Sequence, residues 1–438
     1  MGKKELYVDL LIITVLTITV IAFAVLFQKH IESYNGKGHD GSFYYQMARH
    51  MSEYHRPFTS KPFIYNVAIP FISAMFFRIG ITDNLLSAFK FVNVLASIIS
   101  IFLLYIWLNL WEIKRFWKLL LVSLFIFSWL APLRMSFCFP AHTDPGAWVF
   151  ILGILILIKI DKPYMWLLIS LASFAGAFVR MASIILLPLV YIIESTKTNG
   201  KYRIPSIKAF IPLISCLLGF FILQFLIFKA EGFSLFNTSI HWIFVKPLSK
   251  VAFTPFYAFG PIIFLLFLDS ETVKSFMKEN IALSFYLLTI VFLSYIGGSA
   301  GTRLIYFALP VVAVILGLIL SGNKIKLDTP IIIFLLFSQS LSMRVFAPIP
   351  VAKSSEEEVV NNPEIKTAPR FSLEPPRQAD KPLILSPLTP LSSKACFLDM
   401  YADHASKKIF FQNMLFYLLI GSILILYIKF KNEKKTDC

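Results

Sequence analysis

The chain has 438 residues, of which 57% are hydrophobic and 15% charged, and its mean hydropathy is +0.73. A soluble domain of this length needs no such excess to fill its core, so the composition excludes an ordinary soluble enzyme and points to a polytopic membrane protein. The net charge of +16 comes from Lys and Arg scattered between apolar runs and not from one basic stripe, which argues against a nucleic-acid partner and for positive-inside topology.

Lys3 and Lys4 open the chain, and an apolar run follows from 7 to 27. Ala22-Phe23-Ala24 offers a small-x-small site of the signal-peptide kind, but the run continues to Phe27 and reads as an uncleaved anchor with its N-terminus in the cytoplasm. Further runs predict spans at 85–110, 117–137, 145–160, 164–178, 182–194, 207–229, 251–268, 281–297, 304–321, 328–347 and 409–430, about twelve in all. Continuous runs of roughly 17 to 25 residues predict helices, not the short alternating strands of a barrel. Residues 63–80 are apolar but short, interrupted by Pro70 and closed by Arg78 and Gly80. Read as an interfacial helix, they leave nearly every later basic loop on the cytoplasmic side, including Lys114, Arg115, Lys118, Lys159 and Lys162, with Arg78 and Lys90 unplaced. Counted as a span, they invert all of those loops.

The expected organisation is therefore an all-α transmembrane core over 1–347 with a first outer loop at 28–84. An irregular outer segment rich in Pro, Ser and charge follows at 348–408, and a last span with a basic tail at 409–438. No internal repeat is visible, which weakens a transporter reading. The four cysteines show no metal spacing; Cys138 and Cys396 both fall on the outer side, where a disulfide can form.

The same topology puts all seven histidines and a set of polar groups on the outer face. In "GHDGSFYYQMARHM", Asp40 stands at the head of a helix, either as a cap or as a general base that His39 can tune, and Tyr44 follows one turn later. Tyr44 and Tyr45 can stack on sugar faces or anchor at the interface. In "FPAHTDPGAWVF", Asp144 before Pro145 makes a helix start, or a second acid beside His142. Asp40, Asp144 and His142 together, or with His39, can bind a divalent metal, the one cofactor this pattern leaves open. Arg180 in "AFVRMASIILLP" interrupts an apolar stretch and either snorkels or holds an anion. Arg303 in "GGSAGTRLIYFALP" follows a Gly-rich turn whose amides can help cradle an anion, or is simply an interfacial arginine. Two arginines and two acids on one face suit a substrate with a phosphate and a hydroxyl.

In this order and sidedness the motifs resemble those of the GT-C superfamily, membrane glycosyltransferases that use polyprenyl-phosphate sugars. "HDGSFYYQMA" resembles that family's Asp-Gly-x-x-Tyr-Tyr-x-x-Ala loop, "KPFIYNVAIPFISAMFF" its following interfacial helix, and "HTDP" its second acidic loop. Asn93 sits where many members carry Asn, while "FVRMASIILLP" and "GTRLIYFALP" are similar to its later arginine segments. The resemblance covers residues 1 to about 321. It implies an active site on the outer, periplasmic face and a sugar moved with inversion from a lipid-phosphate donor to a glycan or lipid acceptor; the Lys- and Ile-rich character fits a bacterial inner membrane, and the basic-loop count puts both termini in the cytoplasm. Asp40 would be the base, Asp144 would orient the acceptor or share a metal, and Arg180 and Arg303 would hold the donor phosphate; His39, His142, Tyr44 and Tyr45 would line the substrates. His39 stands where some relatives place a second acid, and no large folded outer domain follows residue 348, which argues against a protein acceptor. A lipid-glycan flippase or a glycan polymerase is the alternative.

Overall fold

A computed structural model describes residues 3–30, 36–37, 39–54, 63–198, 201–202, 204–227, 243–244, 248–297, 301–322, 327–345, 347–349 and 407–436. Among the described residues the regular structure is helical apart from a minimal hairpin, β1 (Lys197–Thr198) with β2 (Lys201–Tyr202). In order come α1 (Lys3–Phe27), α2 (His39–Tyr54), a 3-10 turn (Phe63–Asn66), α3 (Ala68–Arg78), α4 (Leu85–Asn109), α5 (Arg115–Phe127) and α6 (Pro132–Cys138). Then follow α7 (Asp144–Ile160), α8 (Met165–Ile184), α9 (Leu186–Ser195), α10 (Ile207–Ile227), α11 (Leu248–Phe259), a 3-10 turn (Pro261–Ile263) and α12 (Phe264–Leu268). The remaining helices are α13 (Ser270–Glu279), α14 (Ile281–Ile296), α15 (Gly301–Tyr306), α16 (Leu309–Ser321), α17 (Thr329–Ser342) and α18 (Lys407–Thr436).

Each apolar run is helical over at least part of its length, so this is an all-α integral membrane protein. Among the described residues four stretches are long and apolar enough to cross a bilayer: Lys3–Phe27, Leu85–Asn109, Arg115–Cys138 and Met165–Ile184. A fifth is added if α13 and α14 count as one bent span. Several of the expected twelve are shorter helices, because the runs are punctuated. Gly260-Pro261 divides 251–268 into α11 and α12, and the run 304–321 breaks ahead of Pro310. Residues 63–80 form the first 3-10 turn and the 11-residue α3, too short to cross about 30 Å of hydrocarbon.

The chain gathers into two compact units: unit 1 holds 1–127, 131–235 and 277–290, and unit 2 holds 128–130, 236–276 and 291–438. Within unit 1, α4 is the central element and packs against α3, α5, α6 and α7. α7 packs on α8 and α8 on α10, where Gly219 lets the two backbones approach: a β carbon there would lie 3.1 Å from both Ala177 Cβ and the Phe174 carbonyl oxygen. α1 turns Leu11, Val15, Ile18 and Val25 outward, the apolar face a lipid-exposed helix needs. Its Asp9 is fully buried, accepting hydrogen bonds of 2.6 Å from both the Tyr105 hydroxyl and Arg115 Nε. That contact fixes the start of α1 against the end of α4 and the start of α5. Nearby, Lys159 Nζ lies 3.8 Å over the Trp111 ring, so the basic groups between α4 and α5 and at the end of α7 share this end of the unit.

Unit 2 has a different lock. Gly260 has φ +73°, and Gln339 of α17 braces the break beside it, donating to the Phe259 carbonyl at 2.8 Å and accepting from the Ile262 amide at 2.9 Å. A β carbon at 260 would sit 2.6 Å from the Gln339 amide group. Hydroxyls of Ser342 and Tyr417 meet at 2.7 Å, and Tyr427 donates to Asp328 at 2.8 Å, tying α17 to α18 at two levels. The irregular segment at 348–408 lies outside the described residues except at its edges. Cys138 is a buried free thiol, and its expected partner Cys396 lies outside the described residues.

Candidate functional site

The polar groups of unit 1 collect at the end opposite Asp9. The loop 139–143 joins α6 to α7, and its carbonyls would be stranded in an apolar interior without donors. Asn93 supplies them from the third turn of α4: its amide donates to the Pro140 and His142 carbonyls, each at 2.8 Å, and Asn93 is fully buried. The head of α2 lies directly against this loop. Gly41 is so close that a β carbon would come within 2.6 Å of the Ala141 carbonyl oxygen. Only glycine permits that approach, and it brings the neighbouring Asp40 to the loop.

Side chains from several segments then converge on one phenol. Tyr44, one helical turn after Asp40, is 5% exposed, and Asn66 from the first 3-10 turn donates to its hydroxyl at 2.6 Å. Burial, and then the Asp40 carboxylate, push the Tyr44 phenol above its ordinary value; the Arg180 charge and the hydrogen bond from Asn66 partly offset this. Tyr44 therefore stays protonated at neutral pH and keeps a proton to donate. The same couplings place Asp40, Arg180 and Asn66 around a single hydroxyl.

Asp144 is not the cap that its position before Pro145 suggests. It is the first residue of α7, no side chain caps that helix, and the Asp144 carboxylate forms an ion pair with Arg180 Nη1. Both side chains are largely buried, at 8% and 12% exposure respectively. Arg180 reaches it because α8 breaks there: its backbone is extended (φ −163°, ψ 84°) between helical neighbours, so the side chain leaves the regular face of α8. The arginine is thus neither snorkelling alone nor waiting bare for an anion. His142, 6% exposed, accepts from the Asp144 amide through Nδ1 at 3.3 Å, which fixes the ring beside the head of α7.

The metal set is not assembled as expected. Among the described residues no group of three or more His, Cys, Asp or Glu side chains is placed to hold a metal ion, and the Asp144 carboxylate is engaged by a cation. Tyr45 is turned away from Tyr44 on α2 and lies under Lys37 Nζ, 4.3 Å from its ring centre. The His39 side chain lies outside the described residues, and Arg303 lies in unit 2, half-buried in α15. Asn66 was not anticipated as a site residue. It carries a legible signal, a lone amide in the apolar stretch "KPFIYNVAIP".

No family model matches the chain, and no curated protein matches it. Among solved structures, the apo crystal structure of the Archaeoglobus fulgidus oligosaccharyltransferase is similar over 91% of this chain with a TM-score of 0.48 and 12% identity. The chain covers 62% of that protein's length.

Proposed function

We propose that the chain is a membrane glycosyltransferase that moves a sugar from a polyprenyl-phosphate donor to a hydroxyl of a glycan or lipid acceptor at the outer, periplasmic face. The observation that carries this reading is the gathering of Asp40, Tyr44, Asp144 and Arg180 at one end of unit 1, with the basic groups around Asp9 at the other. Positive charge marks the cytoplasmic end, so the acids belong to the outer one.

In this reading Asp40 takes the proton of the acceptor hydroxyl, whose oxygen attacks the anomeric carbon. The bond from that carbon to the phosphate oxygen breaks on the opposite face, the configuration inverts, and the lipid phosphate departs with the bonding electrons. Arg180 meets the charge that develops on the leaving phosphate, with Asp144 holding the guanidinium in place until the donor arrives. Tyr44, kept protonated, donates within the cluster and holds the Asp40 end of α2 to the loop. The role of Arg303 as a second phosphate ligand rests on the sequence pattern alone. The test is transfer by purified protein from a panel of polyprenyl-phosphate sugars, comparing wild type with Asp40→Asn. Transfer that is lost in a folded variant supports the reading; a variant as active as wild type removes Asp40 from the chemistry.

A further inference from the structure

Residues 65–69 supply no reacting group in the chemistry above, yet they meet every helix that does. They join the first 3-10 turn (Phe63–Asn66) to α3, and the junction is firm. The Phe71 amide donates to the Val67 carbonyl at 3.0 Å, and Pro70 falls in the first turn of α3, where its missing N–H costs no helical bond. Successive side chains of a 3-10 turn diverge by about 120°, so neighbours face different partners. Tyr65 stacks on Phe220 of α10, with ring centres 5.7 Å apart. Asn66 turns to α2 instead and donates to the Tyr44 hydroxyl at 2.6 Å.

Three residues on, Ile69 is 3% exposed and closes on the other half of the site. A β carbon on Gly146 of α7 would lie 2.6 Å from Ile69 Cδ1 and 3.0 Å from Val179 Cγ1 of α8, so α3, α7 and α8 meet at that glycine. Gly146 lies two residues after Asp144, and Val179 immediately precedes Arg180. The 3-10 turn also packs directly on α8. One short stretch therefore holds α2, with Asp40 and Tyr44, through Asn66, and the helices of the Asp144–Arg180 pair through Ile69. In the proposed reaction the base and the arginine serve opposite faces of one anomeric carbon, and a misplacement of about 1 Å can cost about 10²-fold in rate.

We propose that residues 65–69 form a strap that sets the spacing between Asp40 and Arg180, with Asn66 as its positioning residue, acting through the Tyr44 hydroxyl. Asn66 touches no substrate in this scheme; it fixes where the head of α2 stands. The kinetic consequence rests on the glycosyltransferase reading, whereas the hold on α2 does not.

The experiment uses the full chain in lipid nanodiscs and compares wild type, Asn66→Ala, Tyr44→Phe and the double variant. Two quantities are read: transfer from a polyprenyl-phosphate sugar, and hydrogen exchange of the α2 amides without substrate. Asn66→Ala is expected to lower kcat about tenfold with the donor KM unchanged, and to speed exchange at the head of α2. Tyr44→Phe is expected to lose at least as much, and adding Asn66→Ala to it to cost nothing more, because both changes delete one contact. A raised KM at constant kcat overturns the proposal, since Asn66 would then be binding substrate. So does a double variant about tenfold worse than Tyr44→Phe, since the two residues would act apart, and so does wild-type kcat in Asn66→Ala. If wild type transfers no sugar, the functional reading falls and exchange alone decides the strap: faster exchange in Asn66→Ala upholds it, and the wild-type rate overturns it. Where Asn66→Ala does not fold, Asn66→Ser, too short to reach the phenol, takes its place in the cycle.

Discussion

Asp9 and Asp144 are both buried carboxylates of unit 1, and each meets an arginine, but at opposite ends of the same bundle. Asp9 accepts from Tyr105 and Arg115 at 2.6 Å, and Arg115 keeps 41% of its side chain in solvent, so that pair is anchored on one side by water. Asp144 meets Arg180 with both side chains buried, on a broken helix, beside a second acid and a buried phenol. The first arrangement closes a contact between three helices. The second concentrates polar groups where the interior can least solvate them, the kind of arrangement the proposed function would use.

Four experiments separate the two ends. The largest effect is expected for Asp40→Asn, which removes the proposed general base and should lower transfer about 10²- to 10⁴-fold, read as kcat with folding checked by melting. Arg180→Gln should cost about 10²-fold in transfer. Combining it with Asp144→Asn sharpens the comparison: a purely structural pair would be repaired in the double variant, as removing both charges of a buried pair is often neutral, whereas a phosphate-holding arginine would leave the double variant inactive. Asn93→Ala should weaken the fold by about 1 kcal/mol for each of its two hydrogen bonds and lower transfer about tenfold through the displaced loop, measurable as a fall in kcat larger than the change in KM. Asp9→Asn is the smallest functional change: about 1–2 kcal/mol of stability lost, seen as a lower Tm, with transfer unchanged below it. Should Asp9→Asn abolish transfer in folded protein, the division between a structural and a chemical end collapses.

Much of this was legible in the sequence because membrane proteins write their constraints plainly. Apolar runs became helices, and the basic loops around Lys114, Arg115 and Lys159 did mark one end of the bundle. The short stretch 63–80 could be taken out of the span count because counting it would invert the basic loops that follow. What stayed hidden were pairings between residues distant in the chain. Asp144 before Pro145 carries a local signature of a helix start, and nothing local says that a guanidinium 36 positions later will claim its carboxylate. The interruption at Arg180 was placed by the sequence, which ends one span at 178 and starts the next at 182, but the partner to which the break turns the side chain was not. Asp9 was passed over for the same reason, because its partners lie about 100 residues away.

Gly41 carries one more consequence. It has no functional group, yet its missing side chain is what lets Asp40 stand against the loop at Ala141. Position 41 is therefore bound to the backbone of a segment a hundred residues downstream, and mutational drift at the two places is not independent. A methyl group at 41 must be answered by a retreat of the loop, and that retreat draws on the Asn93 contacts. Among descendants of this sequence, lineages that keep Asp40 should keep glycine after it, and those that lose the glycine should show compensating change around 140–142.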